Sequence, residues 1–252
     1  MQKIRRATKK HRKVLLIVVI ILAVGLVGSF AVWNSDSYGK NQGDDMTLAE
    51  QISLYEAYLA NNEPAADAEV DYNTAASMAE VYMSLQRLYY TAYSQVAAED
   101  ADAGVQYYMQ SVAAAGKAAD YYQKQLDVAP ENLNDYGKAQ IIANQAQALA
   151  YTGASDDAKA LFDQALALSP DNYDVASKYL DFLFINQGLD AARAYADSYK
   201  ALIGESSEYY AQIDQIIGYY ELLEQLQNTT DEVQQEEDAA DETDSGADDT
   251  AQ

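Results

Sequence analysis

The sequence predicts an all-α protein with an N-terminal transmembrane helix, a body of antiparallel helical hairpins and an acidic C-terminal tail. Three observations predict this class. Val14 to Trp33 is an unbroken apolar stretch in which Ser29 is the sole polar residue. Between residues 46 and 227, apolar side chains recur at spacings of three and four without sustained alternation, and beyond Pro64 the region has only Pro130 and Pro170 as breakers. Finally, "YTGASDDAKALFDQALALSP" (151–170) shares a layout of small, bulky and helix-breaking residues with two other segments.

The N-terminal elements come first. Residues 1–13 form a basic leader with seven Lys/Arg and no acid. Residues 14–33 follow, and as a helix rising 1.5 Å per residue they would span about 30 Å, the thickness of a bilayer's hydrocarbon core. Cations before the segment and acids after it orient a single-pass protein by the positive-inside rule, with a cytoplasmic N-terminus and an extracytoplasmic C-terminal domain at the cell membrane. Ser29-Phe30-Ala31 has the small-x-small form of a signal-peptidase site, so secretion after cleavage near Ala31 is the competing expectation. Residues 34–45, "NSDSYGKNQGDD", read as a flexible linker.

Residues 46–227 form the helical domain. Thr47 with Glu50 makes a capping box opening a helix that runs to about Ala60. A loop around Pro64 (62–71) leads to a helix from Asn73 to Val96, and "AAEDADAG" (97–104) reads as a turn. That stretch lacks the ligand spacing of a calcium loop. The next helix is expected to run to about Val128 with Gly116 in its interior, the alternative being a second turn at Gly116 and an additional short repeat. Breakers then delimit Asp135–Tyr151, Ser155–Leu168, Asp171–Ile185, Leu189–Ile203 and Ser206–Leu226. Their short connections force consecutive helices to pack antiparallel. Residues 228–252 hold ten acids, no base and few large apolar groups, the composition of a disordered tail.

The opening layout now has a physical reading. Ala158, Phe162, Ala165 and Pro170 follow Gly153. Ala118, Tyr122, Gln125 and Pro130 repeat the spacing upstream, and Ala192, Ala196, Tyr199 and Gly204 repeat it downstream with the large and small members exchanged. A small residue lets two helix backbones approach, a bulky one on the same face fills the gap to the next hairpin, and the breaker ends the unit. This layout resembles the tetratricopeptide repeat (TPR), whose second helix carries Ala, an aromatic, Ala and Pro at these spacings after a Gly turn. The first-helix positions depart from the family: Ile142, Gln145, Ala146 and Leu149 stand where an aromatic, Leu, a small residue and Tyr are expected, and Leu180 replaces a small residue in the next unit. The resemblance implies an α-solenoid whose first helices line a concave face, here Gln140, Gln147, Tyr151, Asp174, Ser177, Asp181 and Phe184.

Composition narrows the function. There is no cysteine, and the single histidine, His11, lies in the leader. Cysteine nucleophiles, thiolate metal sites and imidazole bases are thereby excluded from the body, and no carboxylate spacing selects a catalytic pair. The expectation is a protein without cofactor, metal site or enzymatic activity. Of 16 Lys/Arg, the leader holds seven, leaving nine against all 40 Asp/Glu and a body about 31 charges negative. Such a field repels nucleic acid and favours a neutral or basic protein or peptide partner. The architecture is similar to membrane-anchored repeat proteins that act as scaffolds or adaptors in protein export or cell-envelope assembly, as at a bacterial surface. The competing expectation is a structural spacer that self-associates through Tyr219 and Tyr220, with no dedicated peptide ligand. The chain's 22 tyrosines, several in doublets, suit either reading, because a doublet sends one ring inward and leaves the other at the edge.

Overall fold

Thr47 shows how closely local chemistry sets the first boundary. Its hydroxyl accepts the Glu50 amide at 3.3 Å, while the Glu50 carboxylate accepts the Thr47 amide at 2.7 Å, closing a capping box. In the computed structural model, which describes residues 46–245, this box opens the first of eight helices, and no strand occurs among the described residues. The helices are α1 (Leu48–Asn62), α2 (Tyr72–Val96), α3 (Ala101–Asp127), α4 (Asp135–Tyr151), α5 (Ser155–Leu168), α6 (Tyr173–Gln187), α7 (Leu189–Ile203) and α8 (Tyr210–Ser245). The fold is all-α and compatible with a helical repeat. The stretch Val14 to Trp33, expected to cross a membrane, lies outside the described residues with the leader and the linker, and among the described residues no helix is long and apolar enough to cross a membrane.

Among the boundaries that differ from the sequence expectation, four have an identifiable reason. The turn expected over 97–104 is shorter, because Asp100 accepts the Ala103 amide at 3.0 Å and caps α3 at once. Helix α6 starts at Tyr173 rather than Asp171, because the Asn172 side chain accepts the amides of Asp174 (3.1 Å) and Val175 (3.3 Å) and so acts as a cap. Helix α8 starts at Tyr210 rather than Ser206, since Ser207 closes a local turn by accepting the Tyr209 amide at 3.3 Å. It then continues to Ser245 instead of ending at Leu226, so residues 228–245, expected to be disordered, are helical. That stretch has four Glu, two Ala and two Gln among its 18 residues and no Pro or Gly before Gly246, so no strong breaker stops the helix.

The chain divides into two compact units between Phe182 and Leu183. In the first, α2 and α3 form one long hairpin with α1 on α2, α4 and α5 form a second, and α4 packs on α3. Gly116 lies inside a continuous α3. Gly104 sets the crossing near the α2–α3 tip: a Cβ there would lie 2.8 Å from the Cα and Cβ of Ala97, so only glycine lets the strands of backbone close up. The core of this unit joins Met78, Tyr82, Leu85, Tyr89, Ala118, Tyr121, Tyr122 and Ile141. Several tyrosines reach carboxylates from it: the hydroxyls of Tyr89, Tyr121 and Tyr122 donate to Glu56 (2.6 Å), Glu63 (3.3 Å) and Glu80 (2.8 Å).

The residues that define the repeat layout are packed. Ala118, Ala158, Phe162, Ala165 and Ala192 are fully buried, and Tyr122, Ala196 and Tyr199 nearly so. Phe162 meets the rings of Tyr179 and Phe182 at 5.3 Å each. Gly153 turns between α4 and α5 with φ of 87°, a conformation that side chains resist, and Pro170 lies exposed after α5. Leu180, where a small residue was expected, is wholly buried. In the second unit α7 packs on α8, and Phe184 stacks on Tyr220 with centroids 4.2 Å apart.

Candidate functional site

Helices α2 and α4 are the first members of the two hairpins of the first unit and α6 follows them in the chain; their polar faces carry the site. On α6, Asp174, Ser177, Lys178 and Asp181 recur at spacings of three and four and so share one side. On α4, Gln140, Gln147 and Tyr151 do the same at spacings of seven and four. Gln140 and Asp174 tie the two helices together, the Gln140 amide donating to the carboxylate. The Gln147 amide donates to the Tyr151 hydroxyl at 3.4 Å.

Electrostatics bring α2 into the same site. Tyr151 keeps 37% of its surface exposed, yet desolvation pushes its hydroxyl up to about 12, with the Asp181 carboxylate adding to the shift and the Arg87 guanidinium opposing it. Lys178 is likewise held below the ordinary lysine range by desolvation, against the pull of Asp174, Asp181 and Glu80. Glu80 and Arg87 come from α2, and α2 also contributes Tyr90, whose phenol adds to the Tyr151 shift. The result is a surface of mixed charge with a small acidic excess. Two phenols and two amides line it, groups suited to hydrogen-bonding an extended backbone.

Six of the seven residues expected on a concave face therefore belong to one unit and one neighbourhood: Gln140, Gln147, Tyr151, Asp174, Ser177 and Asp181. Phe184 is the seventh. It belongs to the second unit and gives its ring face to Tyr220. Tyr220 itself is buried, so it offers little surface for self-association. Sequence reasoning missed Glu80, Arg87, Tyr90 and Lys178. Lys178 could have been found from its place four residues after Asp174. The α2 residues carried no signal, because the long α2–α3 hairpin departs from the repeat length on which the search was based.

The second unit holds an open cleft of about 300 Å³ between α7 and α8, lined by Arg193, Asp197, Lys200, Asp214 and Glu221. Its charges are mutually satisfied: Arg193 pairs with Glu221 at 2.9 Å and Lys200 with Asp214 at 2.7 Å. No group of His, Asp or Glu able to hold a metal occurs among the described residues. No family model matches this chain, and no curated protein and no solved structure matches it.

Proposed function

We propose that this chain is a membrane-anchored scaffold of TPR-like hairpins, displayed on the extracytoplasmic side, whose α2–α4–α6 face holds a neutral or basic peptide in extended form. The observation that carries the reading is the Gln140–Asp174 hydrogen bond, which joins the polar sides of α4 and α6, with the exposed Tyr151 on the same side of α4 held by Gln147. A face with carboxylates and amide donors but no base or nucleophile of neutral pKa suits recognition rather than catalysis. The anchor rests on the apolar segment Val14 to Trp33 behind its basic leader. In this role the chain recruits partners at the membrane surface for export or envelope assembly.

The test is titration of the full chain with a fluorescent octapeptide of Lys and Ser. Binding is expected to weaken about tenfold between roughly 20 and 300 mM salt, because exposed charge pairs are screened beyond a Debye length of about 8–10 Å. Asp174→Asn combined with Asp181→Asn is expected to weaken it further at low salt. Affinity indifferent to both salt and these substitutions would overturn the reading. If the chain instead self-associates without binding peptide, the spacer role takes its place.

A further inference from the structure

Helix α3 seats α4 along one side. The Thr152 methyl lies 3.9 Å from where a Gly116 Cβ would stand, and the Gln145 amide donates to Gln123 at 3.1 Å. Continuing that side toward the start of α3 in helical steps of three and four reaches Val112, Met109 and Val105. Among the described residues of this unit, no helix covers this part of the seat. Helix α4 ends at Tyr151 and the chain turns back at Gly153, while the α2–α3 hairpin runs on to its tip at residues 97–100. Val105, Tyr108 and Met109 are accordingly 57%, 48% and 65% exposed, a concentration of bare apolar surface on a single turn. Tyr108 extends the patch onto α2, its ring 5.5 Å from Tyr93, which lies 5.7 Å from Tyr90.

We propose that this overhang seats an amphipathic helix of a partner protein, laid end to end with α4, with an apolar face on Val105, Tyr108 and Met109 and Lys/Arg toward the hairpin tip. The uncovered stretch of α3, Ala101 to Ser111, is about 16 Å long and accommodates about three helical turns. A helix is the fitting occupant because a helix, α4, already fills the continuation of the same seat. The charge requirement follows from the rim. Glu99, Asp100 and Asp102 are exposed at the tip, and no Lys or Arg occurs between Arg87 and Lys117. A second copy of the chain would bring the same acidic tip and a body about 31 charges negative, and an anionic bilayer would be repelled in the same way. A basic helix meets both the apolar strip and its rim. This surface meets the extended-peptide face at Tyr90, but Val105 and Met109 lie on α3 and Asp174 and Asp181 on α6, so substitutions test the two readings separately.

The experiment uses the full chain in a zwitterionic nanodisc, with the empty nanodisc as blank, and a fluorescein-labelled peptide of about four turns carrying Leu at i, i+3, i+4 and i+7 and Lys elsewhere. With Asp174→Asn and Asp181→Asn introduced to disable the extended-peptide face, saturable one-site binding is still expected, weakened at least tenfold by adding Val105→Asp or Met109→Asp. Substituting Glu for Lys in the peptide, or placing Pro at its centre, is expected to abolish binding. Both target residues are exposed, and circular dichroism of the variants verifies that the helices persist. Peptide binding that ignores Val105→Asp and Met109→Asp overturns the proposal as charge attraction alone. Sedimentation showing dimers that those substitutions dissociate assigns the surface to a second copy. Vesicle flotation of the exported domain lost on the same substitutions assigns it to lipid. Either result overturns the proposal as well.

Discussion

Gly104 and Gly116 stand on the same helix, and an alanine would act on them in opposite directions. At Gly104 the new Cβ would meet the Ala97 backbone at 2.8 Å, so the hairpin must spread. Gly104→Ala is expected to destabilise the fold by about 1–3 kcal/mol despite the better helix propensity of alanine. At Gly116 the nearest atom would be a methyl at ordinary contact distance, 3.9 Å. There the gain in propensity stands alone, and Gly116→Ala is expected to stabilise by about 0.5–1 kcal/mol. Urea unfolding of the two variants against the parent checks both signs. The same scale explains a buried imperfection. Gln86 donates to Ser111 at 3.3 Å, while its own carbonyl oxygen has no hydrogen-bond partner among the described residues. Gln86→Leu is therefore expected to be tolerated far better than an unpaired buried amide would suggest.

Helices bounded by strong punctuation were legible in the sequence, and those bounded by charge were not. Gly153, Gly188 and Gly204 adopt positive φ, and the ends they mark coincide with the expected limits of α4, α5 and α7. Asp100 and Asn172 also end segments, but a lone cap has many lookalikes in a chain this acidic, so α3 and α6 were misplaced by a few residues. The extension of α8 was misread because acidic composition was weighed above the absence of breakers. Part of the site was legible for a related reason. Helical spacing placed Gln147, Tyr151, Asp174 and Asp181 on one side of their helices, while Glu80 and Arg87 sit on a helix whose length breaks the repeat. Packing between elements centres on Phe162, wholly buried against Tyr179 and Phe182. Phe162→Ala is expected to cost about 3–5 kcal/mol and Phe162→Leu distinctly less, because leucine leaves a smaller cavity. Thermal unfolding followed by circular dichroism separates the two.

For the molecule as a whole, alkaline pH is the sensitive direction. Burial raises the hydroxyls of Tyr82, Tyr89 and Tyr122 well above the ordinary phenol range and that of Tyr121 up to about 12, with Glu63, Glu56 and Glu80 adding to the effect. In the unfolded chain these phenols titrate near 10. Between the two ranges the folded state binds more protons than the unfolded state, so stability is complete below about pH 10 and declines as pH rises through 12. Lys178, shifted the other way, opposes this as a single group. Cysteine is absent and His11 is the only histidine, so little in the helical body titrates near neutrality. The melting temperature is expected to stay within about 2 °C from pH 6 to 9 and to fall by roughly 10 °C or more by pH 11.5. The tyrosine-dense core has an optical consequence too. The chain's one tryptophan, Trp33, closes the apolar N-terminal segment, so every aromatic emitter of residues 46–245 is tyrosine or phenylalanine. Light near 300 nm thus excites the N-terminal segment alone, and its emission colour and quenching by brominated lipid report bilayer insertion with no added label. Tyrosine emission near 305 nm follows the helical body in the same cuvette.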